Sequence, residues 1–235
     1  MSILFVDIET VPREAALPLL KAPEPKRNLV DPAKIAADVA AKQASLLADM
    51  SLDPYACRIV ALGTAWDDTA EPHVALCRDE DEEEVALEHF WRYAATAALC
   101  GFNLRKFDLR VLIARSLLLQ VSNLPFSMQT PDYVRRSRHV IDLYEYVAFG
   151  DSYGGGDSVI SRSLVSMCRV FGVNVPEDDV DGGRISELVS LGQWDAVAQH
   201  CRRDVERTRG LARALRVSAV AQAQAAERDA APGVF

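Results

Sequence analysis

Apolar residues recur along the chain in short blocks, and their spacing separates strands from helices. Ser2 to Ile8 is rich in Ile, Leu, Phe and Val and is stopped by Thr10, Val11 and Pro12, which predicts a buried first strand. Residues 13–56 have another character. Pro18, Pro23, Pro25 and Pro32 break up the first half, and Asp31-Pro32-Ala33 reads as an N-cap followed by proline at the first helical position. A helix over Ala33 to Met50 follows, inserted before the next strand. Arg58 to Trp66 and His73 to Cys77 predict the second and third strands, with a polar turn between them, so the first three strands form an antiparallel meander. The acidic run Asp79 to Glu84 reads as the solvated, dipole-favoured first turn of a helix that continues through Tyr93.

The second half repeats the alternation. Leu99 to Phe102 is a short strand and Leu104 to Leu119 a helix with a long apolar stripe; Arg135 to Arg138 fall in a loop, and Val140-Ile141 is a strand fragment before Asp142. Residues 150–157 read as a loop, Ser158 to Phe171 as a helix ended by Gly172, and 176–183 as a further loop. A short helix starts at Arg184 and a long one runs from Trp194 to at least Arg216; the Ala-rich residues 219–235 are expected to fray. With no repeat and no long polar linker, the expectation is one α/β domain over residues 1–218, carrying the helical insertion 13–56, and a tail over 219–235.

Composition narrows the classes. The 235 residues are 49% hydrophobic, enough for a sizeable core, which excludes disorder. No apolar run reaches the roughly 18–20 residues of a membrane span, and Asp7 and Glu9 stand where a signal peptide needs apolar residues; a soluble, cytoplasmic protein without membrane contact is expected. Five cysteines without a CxxC pair read as reduced core thiols. The formal net charge of −8 speaks against holding nucleic acid by bulk electrostatics alone, unless metal ions supply the positive charge.

Four carboxylates and one imidazole stand out because they sit at the ends of apolar elements. Asp7 and Glu9 flank Ile8, so strand geometry points both to one face, where they repel unless a cation or proton intervenes. Asp108 lies within the first turns of the predicted helix that leaves a buried strand, and Asp204 follows His200 by four residues, on the same face of the last helix. Taken singly, each has an ordinary explanation: a strand-end acid, a helix N-terminal charge, a surface pair. Together they have the chemistry of a two-metal site, since Mg2+ and Mn2+ take carboxylate oxygens, water and substrate phosphate. Hydrolysis of a phosphodiester is the reaction such a site serves.

The segments FVDIET, GFNLRKFD with its N-x-x-x-F-D core, and HCRRDVERT resemble, in order, the three motifs of the DEDD 3′-5′ exonuclease superfamily. More narrowly, the chain is similar to the predicted exonucleases related to the proofreading domain of family B DNA polymerases. That likeness extends to the DP-x-K-I-A segment at Asp31 to Ala36, RIVALG at Arg58 to Gly63, Asp142-Leu143, and DGGRI before the last helices. The resemblance implies a ribonuclease H-like mixed sheet flanked by helices, antiparallel in its first three strands and parallel thereafter. It implies a metal-dependent 3′-5′ exonuclease acting on single-stranded DNA ends, with Asp7, Glu9, Asp108 and Asp204 as ligands of two Mg2+ or Mn2+ ions. An RNA-trimming nuclease and an inactive single-strand-binding protein are the alternatives, and any replication or repair partner is unidentified.

One position departs from the pattern. The last motif is Y-x-x-x-D in one branch of the superfamily and H-x-x-x-x-D in another; here His200 to Asp204 has the tyrosine spacing with histidine in its place. An i,i+4 pair directs the imidazole into the site, where it can orient or deprotonate the attacking water; a structural imidazole is the alternative. The resemblance also implies that the segment around Asn103, with Phe107, contacts the terminal nucleotide, although core packing is the commoner fate of Phe102 and Phe107. Thr10 is a candidate for the terminal 3′ hydroxyl or a strand cap. Arg135 and Arg136 are candidates for guiding the strand or for a solvated face.

Overall fold

The sheet is organised around its first strand. β1 (Ile3–Pro12) pairs antiparallel with β2 (Cys57–Trp66), and β2 antiparallel with β3 (His73–Leu76). On its other side β1 pairs parallel with β4 (Ala98–Gly101), and β4 parallel with β5 (Val140–Asp142), giving the order β3-β2-β1-β4-β5. The expected mixed sheet, antiparallel then parallel, is therefore present. This computed structural model describes residues 2–68, 71–149, 160–174 and 182–217. The loop expected over 150–157, the helix start expected at Ser158, the loop residues 176–181 and the tail 219–235 lie outside the described residues.

β1 runs four residues beyond its predicted end at Ile8. β4 partners only Ile3, Leu4 and Phe5, so the later part of β1 pairs with β2 alone, an edge where the missing N–H of Pro12 is tolerated. Between Glu9 and Thr10 the register slips: Glu9 faces Ala61 while Thr10 faces Ile59, so Val60 is an extra residue. Val60 and Ala61 consequently both pack on one face of the sheet, with Ile59 and Leu62 on the other.

Helices cover both faces. α1 (Pro32–Ser51) starts as its sequence predicts, with the Asp31 carboxylate accepting the Ala33 N–H at 2.9 Å, and its last turn packs Met50 on Ala16 and Ala56. α2 (Glu80–Ala94) and α3 (Asp108–Leu118) cover the face that carries Leu4, Val6 and Ile8. α3 begins at Asp108 and not at the expected Leu104, because Asn103 takes φ 63° and the chain turns before entering the helix. α4 (Pro131–Arg136) replaces part of the expected loop: Thr130 caps it, accepting the Tyr133 N–H at 3.2 Å, with Pro131 at the first helical position. After β5 come α5 (Leu143–Val147), α6 (Leu164–Val170), α7 (Ile185–Ser190) and α8 (Trp194–Ala214), and they cover the face of Ile3, Phe5 and Val11. α6 starts at the Ser163 cap, later than Ser158, and Gly172 closes it at φ 69°. α8 stops at Ala214, short of Arg216, which takes φ 56°.

The acidic run is only partly solvated, contrary to expectation. Asp79 caps α2 through the Glu82 N–H at 2.8 Å, but Glu83 is fully buried. Arg115 of α3, also fully buried, grips it at 2.7 and 2.8 Å, and the Ile59 N–H donates to it at 3.0 Å. A charge-assisted, two-pronged pair is the form in which ions are tolerated inside a core. All five cysteines are buried and free, as expected. No helix of the described residues is long and apolar enough to cross a membrane.

α8 crosses the sheet where β2 has no side chain. A Cβ on Gly63, opposite Asp7, would stand 2.7 Å from Val205 Cγ2 and 2.8 Å from Cys201 Sγ. Gly63→Ala is therefore expected to push α8 off the sheet at a cost of about 1–3 kcal/mol, lowering the melting temperature by about 2–10 °C in a thermal scan. An unchanged melting temperature would mean that the helix is seated further out.

Candidate active site

β1, β4 and β5 run in one direction, and ligands of open α/β sheets bind beyond the carboxyl ends of such strands. There β4 ends at Gly101, β5 at Asp142, and β1 presents Asp7 and Glu9 toward α8. Asp7, Glu9 and Cys201 bring ligand atoms within 4.8 Å of one another. His200 Nε2 lies 3.5 Å from Glu9 Oε1, and both side chains are almost buried. One turn further along α8, Asp204 Oδ1 accepts from Arg207 Nη1 at 2.6 Å. Asp108 is buried at the start of α3, within reach of the Ile8 backbone N–H.

The four carboxylates converge. Asp7 Oδ2 is buried with no hydrogen-bond partner, an orphaned acceptor at the centre of the group. Burial first, then the charges of Glu9, Asp204 and Asp108, push the Asp7 carboxyl well above the usual carboxylate range. Burial also pushes Asp108 up to about 7, reinforced by the charges of Asp142 and Asp204 and opposed by backbone N–H groups, that of Ile8 among them. Hard, oxygen-rich donors left in mutual repulsion fit a divalent cation of the Mg2+ or Mn2+ kind.

A cleft of about 530 Å³ opens onto Asp7 and Asp204 and is lined also by Phe102, Asn103, Tyr144, Lys106 and Arg162. Phe102 and Tyr144 meet edge to face, with centroids 5.8 Å apart. Of the substrate-contact candidates, Asn103 lines this cleft. The Thr10 hydroxyl donates to the Ser51 carbonyl at 2.6 Å, tying β1 to the end of α1. Phe107 packs against the core under α2 and α3, and Arg135 and Arg136 are exposed in the last turn of α4; none of the three lines the cleft. Of the basic residues around Asp108, Arg105 binds the carbonyls of Val134, Ser137 and Val140, Arg110 binds the Arg105 carbonyl, and Lys106 reaches the cleft. Tyr144, Arg162 and Arg207 escaped the sequence reading. Arg207 had a usable signal, its i,i+3 spacing from Asp204; the other two join the cleft only through tertiary folding.

The raised carboxyls have a consequence for stability. A native pKa above the unfolded one means that the folded chain binds the proton more tightly, so this stability is complete below the unfolded value near 4 and is lost as pH climbs through about 7. In EDTA the melting temperature is expected to fall between about pH 5 and 8, and saturating Mn2+ is expected to restore it, more strongly at the higher pH. A thermal scan with the same melting temperature at both pH values would contradict the convergence of these groups.

In sequence and fold the chain is similar to known proteins. Residues 51–219, which include Asp108, His200 and Asp204 but not β1, match the family described as predicted 3′-5′ exonuclease related to the exonuclease domain of PolB. An uncharacterized protein of Methanocaldococcus jannaschii is 30% identical over 167 residues, covering 67% of this chain and 85% of that one. The family B DNA polymerase of the archaeon Pyrobaculum calidifontis superposes with a TM-score of 0.58 at 18% identity over 92% of this chain. The chain spans only 24% of that polymerase, so the likeness is one of fold. E. coli exonuclease I in complex with a dT13 oligonucleotide gives a TM-score of 0.43 at 12% identity, over 85% of this chain and 42% of the other. With the mixed sheet, its flanking helices and the matched segment in agreement, the chain belongs to the family of predicted 3′-5′ exonucleases related to the exonuclease domain of PolB.

Proposed function

We propose that this protein removes nucleotides from the 3′ end of single-stranded DNA, with Asp7, Glu9, Asp108 and Asp204 holding two Mg2+ or Mn2+ ions. The observation that carries the reading is the buried, partnerless Oδ2 of Asp7 among three further carboxylates. Ions held there supply an activated water and neutralise charge on the phosphate. The remaining work falls to the chain. His200, 3.5 Å from Glu9, orients the attacking water and takes its proton. Arg207 holds one oxygen of Asp204 and fixes that carboxylate's orientation. Asn103 and the Phe102–Tyr144 pair receive the terminal nucleotide, aromatic faces being tolerant of any base. Lys106 and Arg162 meet backbone phosphates, giving local positive charge in a chain of net charge −8. Four carboxylates bound to two divalent ions remove four of those negative charges, which favours weak, metal-dependent, end-directed binding.

One time course tests the reading: 5′-labelled single-stranded DNA and RNA, each with Mg2+, Mn2+ or EDTA. The expected result is a ladder shortening from the 3′ end of DNA, abolished by EDTA. Binding without a ladder would overturn the nuclease, and RNA cleaved in preference to DNA would make it an RNA-trimming enzyme.

A further inference from the structure

Asp142 ends β5 almost wholly buried, and its carboxylate binds the wall of the cleft. Oδ1 accepts the Asn103 N–H at 2.8 Å and the Tyr144 N–H at 3.0 Å, while Oδ2 accepts the Arg105 N–H at 2.9 Å. Three backbone donors from two chain segments thus converge on one anion, a charge-assisted arrangement stronger than three neutral hydrogen bonds. It meets the cleft at a strained point. Asn103 stands at φ 63°, a left-handed conformation that an isolated chain seldom adopts, and its N–H is one of the three held. The second segment begins α5, with Asp142 as its cap, and carries Tyr144 into edge-to-face contact with Phe102. Arg105 anchors the same turn from behind, through the carbonyls of Val134, Ser137 and Val140.

We propose that Asp142 is a positioning residue for the terminal nucleotide: by holding the Asn103 and Tyr144 backbones, it sets the spacing of the wall on which the 3′-terminal base and sugar rest. The assignment rests on the cleft being the seat of that nucleotide. The three hydrogen bonds lie in the cleft wall, while the charge of Asp142 also bears on Asp108, so substrate binding and metal affinity are both read. Asp142→Asn perturbs the wall by one bond. Its amide oxygen still accepts from Asn103 and Tyr144, but its NH2 group confronts the Arg105 N–H, and one of the three bonds is lost.

The test measures three quantities on the full chain. Anisotropy of a 5′-fluorescein dT oligonucleotide in Ca2+ gives binding, Mn2+ titration gives metal affinity, and steady-state hydrolysis gives KM and kcat. Asp142→Asn is expected to weaken oligonucleotide binding and to raise KM about tenfold, with kcat and Mn2+ affinity changed by less than about threefold. Tyr144→Ala is expected to give a similar loss, because it removes the ring that meets Phe102 on the same wall. Asn103→Gly, which tolerates φ 63°, keeps the backbone and reports the side chain alone if Asp142→Asn fails to fold; it too is expected to raise KM. A fall in kcat at unchanged KM, or unchanged oligonucleotide binding, would overturn the positioning role. Oligonucleotide bound normally by the native protein but never hydrolysed would overturn the nuclease reading while the binding comparison still decides for or against Asp142.

Discussion

Asp7→Asn is expected to give a protein that melts higher than the native one in EDTA at pH 8 and cleaves no DNA. The two effects have one cause. Asp7 Oδ2 is buried without a partner, and burial and three neighbouring carboxylates all oppose its charge. An amide in its place removes the charge and with it the repulsion from Glu9, Asp204 and Asp108. A gain of at least about 3 °C is expected at pH 8, shrinking toward pH 5, where the native carboxyl holds its own proton. The same change deletes the donor around which the other three are arranged, and nuclease activity with Mg2+ is expected to fall by about a thousandfold or more. Such opposition of stability and activity is the mark of a site folded around charge for use. Equal melting of the two proteins in EDTA would show that the carboxylates do not strain the fold. Activity within about tenfold of native would place the centre of the site elsewhere.

His200→Ala is expected to lower kcat about 10²–10⁴-fold and to flatten the pH–rate profile between about pH 6 and 9. The imidazole stands 3.5 Å from Glu9, and Gly182 lies so near that a Cβ there would be 3.7 Å from His200 Nε2. It is buried between a carboxylate of the site and Gly182, and is not a surface partner for Asp204. Mn2+ affinity measured by titration is expected to stay within about threefold of native, which separates a proton-transfer role from a ligand role. Full activity across the pH range would assign His200 to structure alone.

Much of this site was legible one motif at a time. Asp7, Glu9 and Asp108 could be found because each is an acid beside apolar residues, where charge is unfavourable without a partner, and Asp204 through its spacing from His200. The i,i+4 spacing of His200 and Asp204 put both on one face of α8, and the structure brings that face to β1. Asp142 carried the same signal, an acid closing a buried strand, yet nothing local distinguishes a carboxylate that gathers backbone N–H groups from one that would hold an ion. The acidic run before α2 misled for a related reason. Composition suggested solvent, while Glu83 turns inward to an arginine 32 residues away, a pairing visible only once α2 and α3 share a face of the sheet.

Local geometry governs what the sequence by itself determined: the five strands, most helices, the capped start of α1 and the pairing of Asp7 with Glu9 on one face. These follow from side-chain period, capping and proline, which act within a few residues. Only the tertiary structure decided where β1 ends, because its pairing past Ile8 depends on β2. It also decided which cations and aromatics reach the cleft: Lys106 but not Arg105, Phe102 but not Phe107, together with Tyr144 and Arg162. That choice depends on contacts between segments far apart in the chain, such as the Arg105 guanidinium on three carbonyls beyond α3 and Gly63 letting α8 close on the sheet. Such contacts have no local period to announce them.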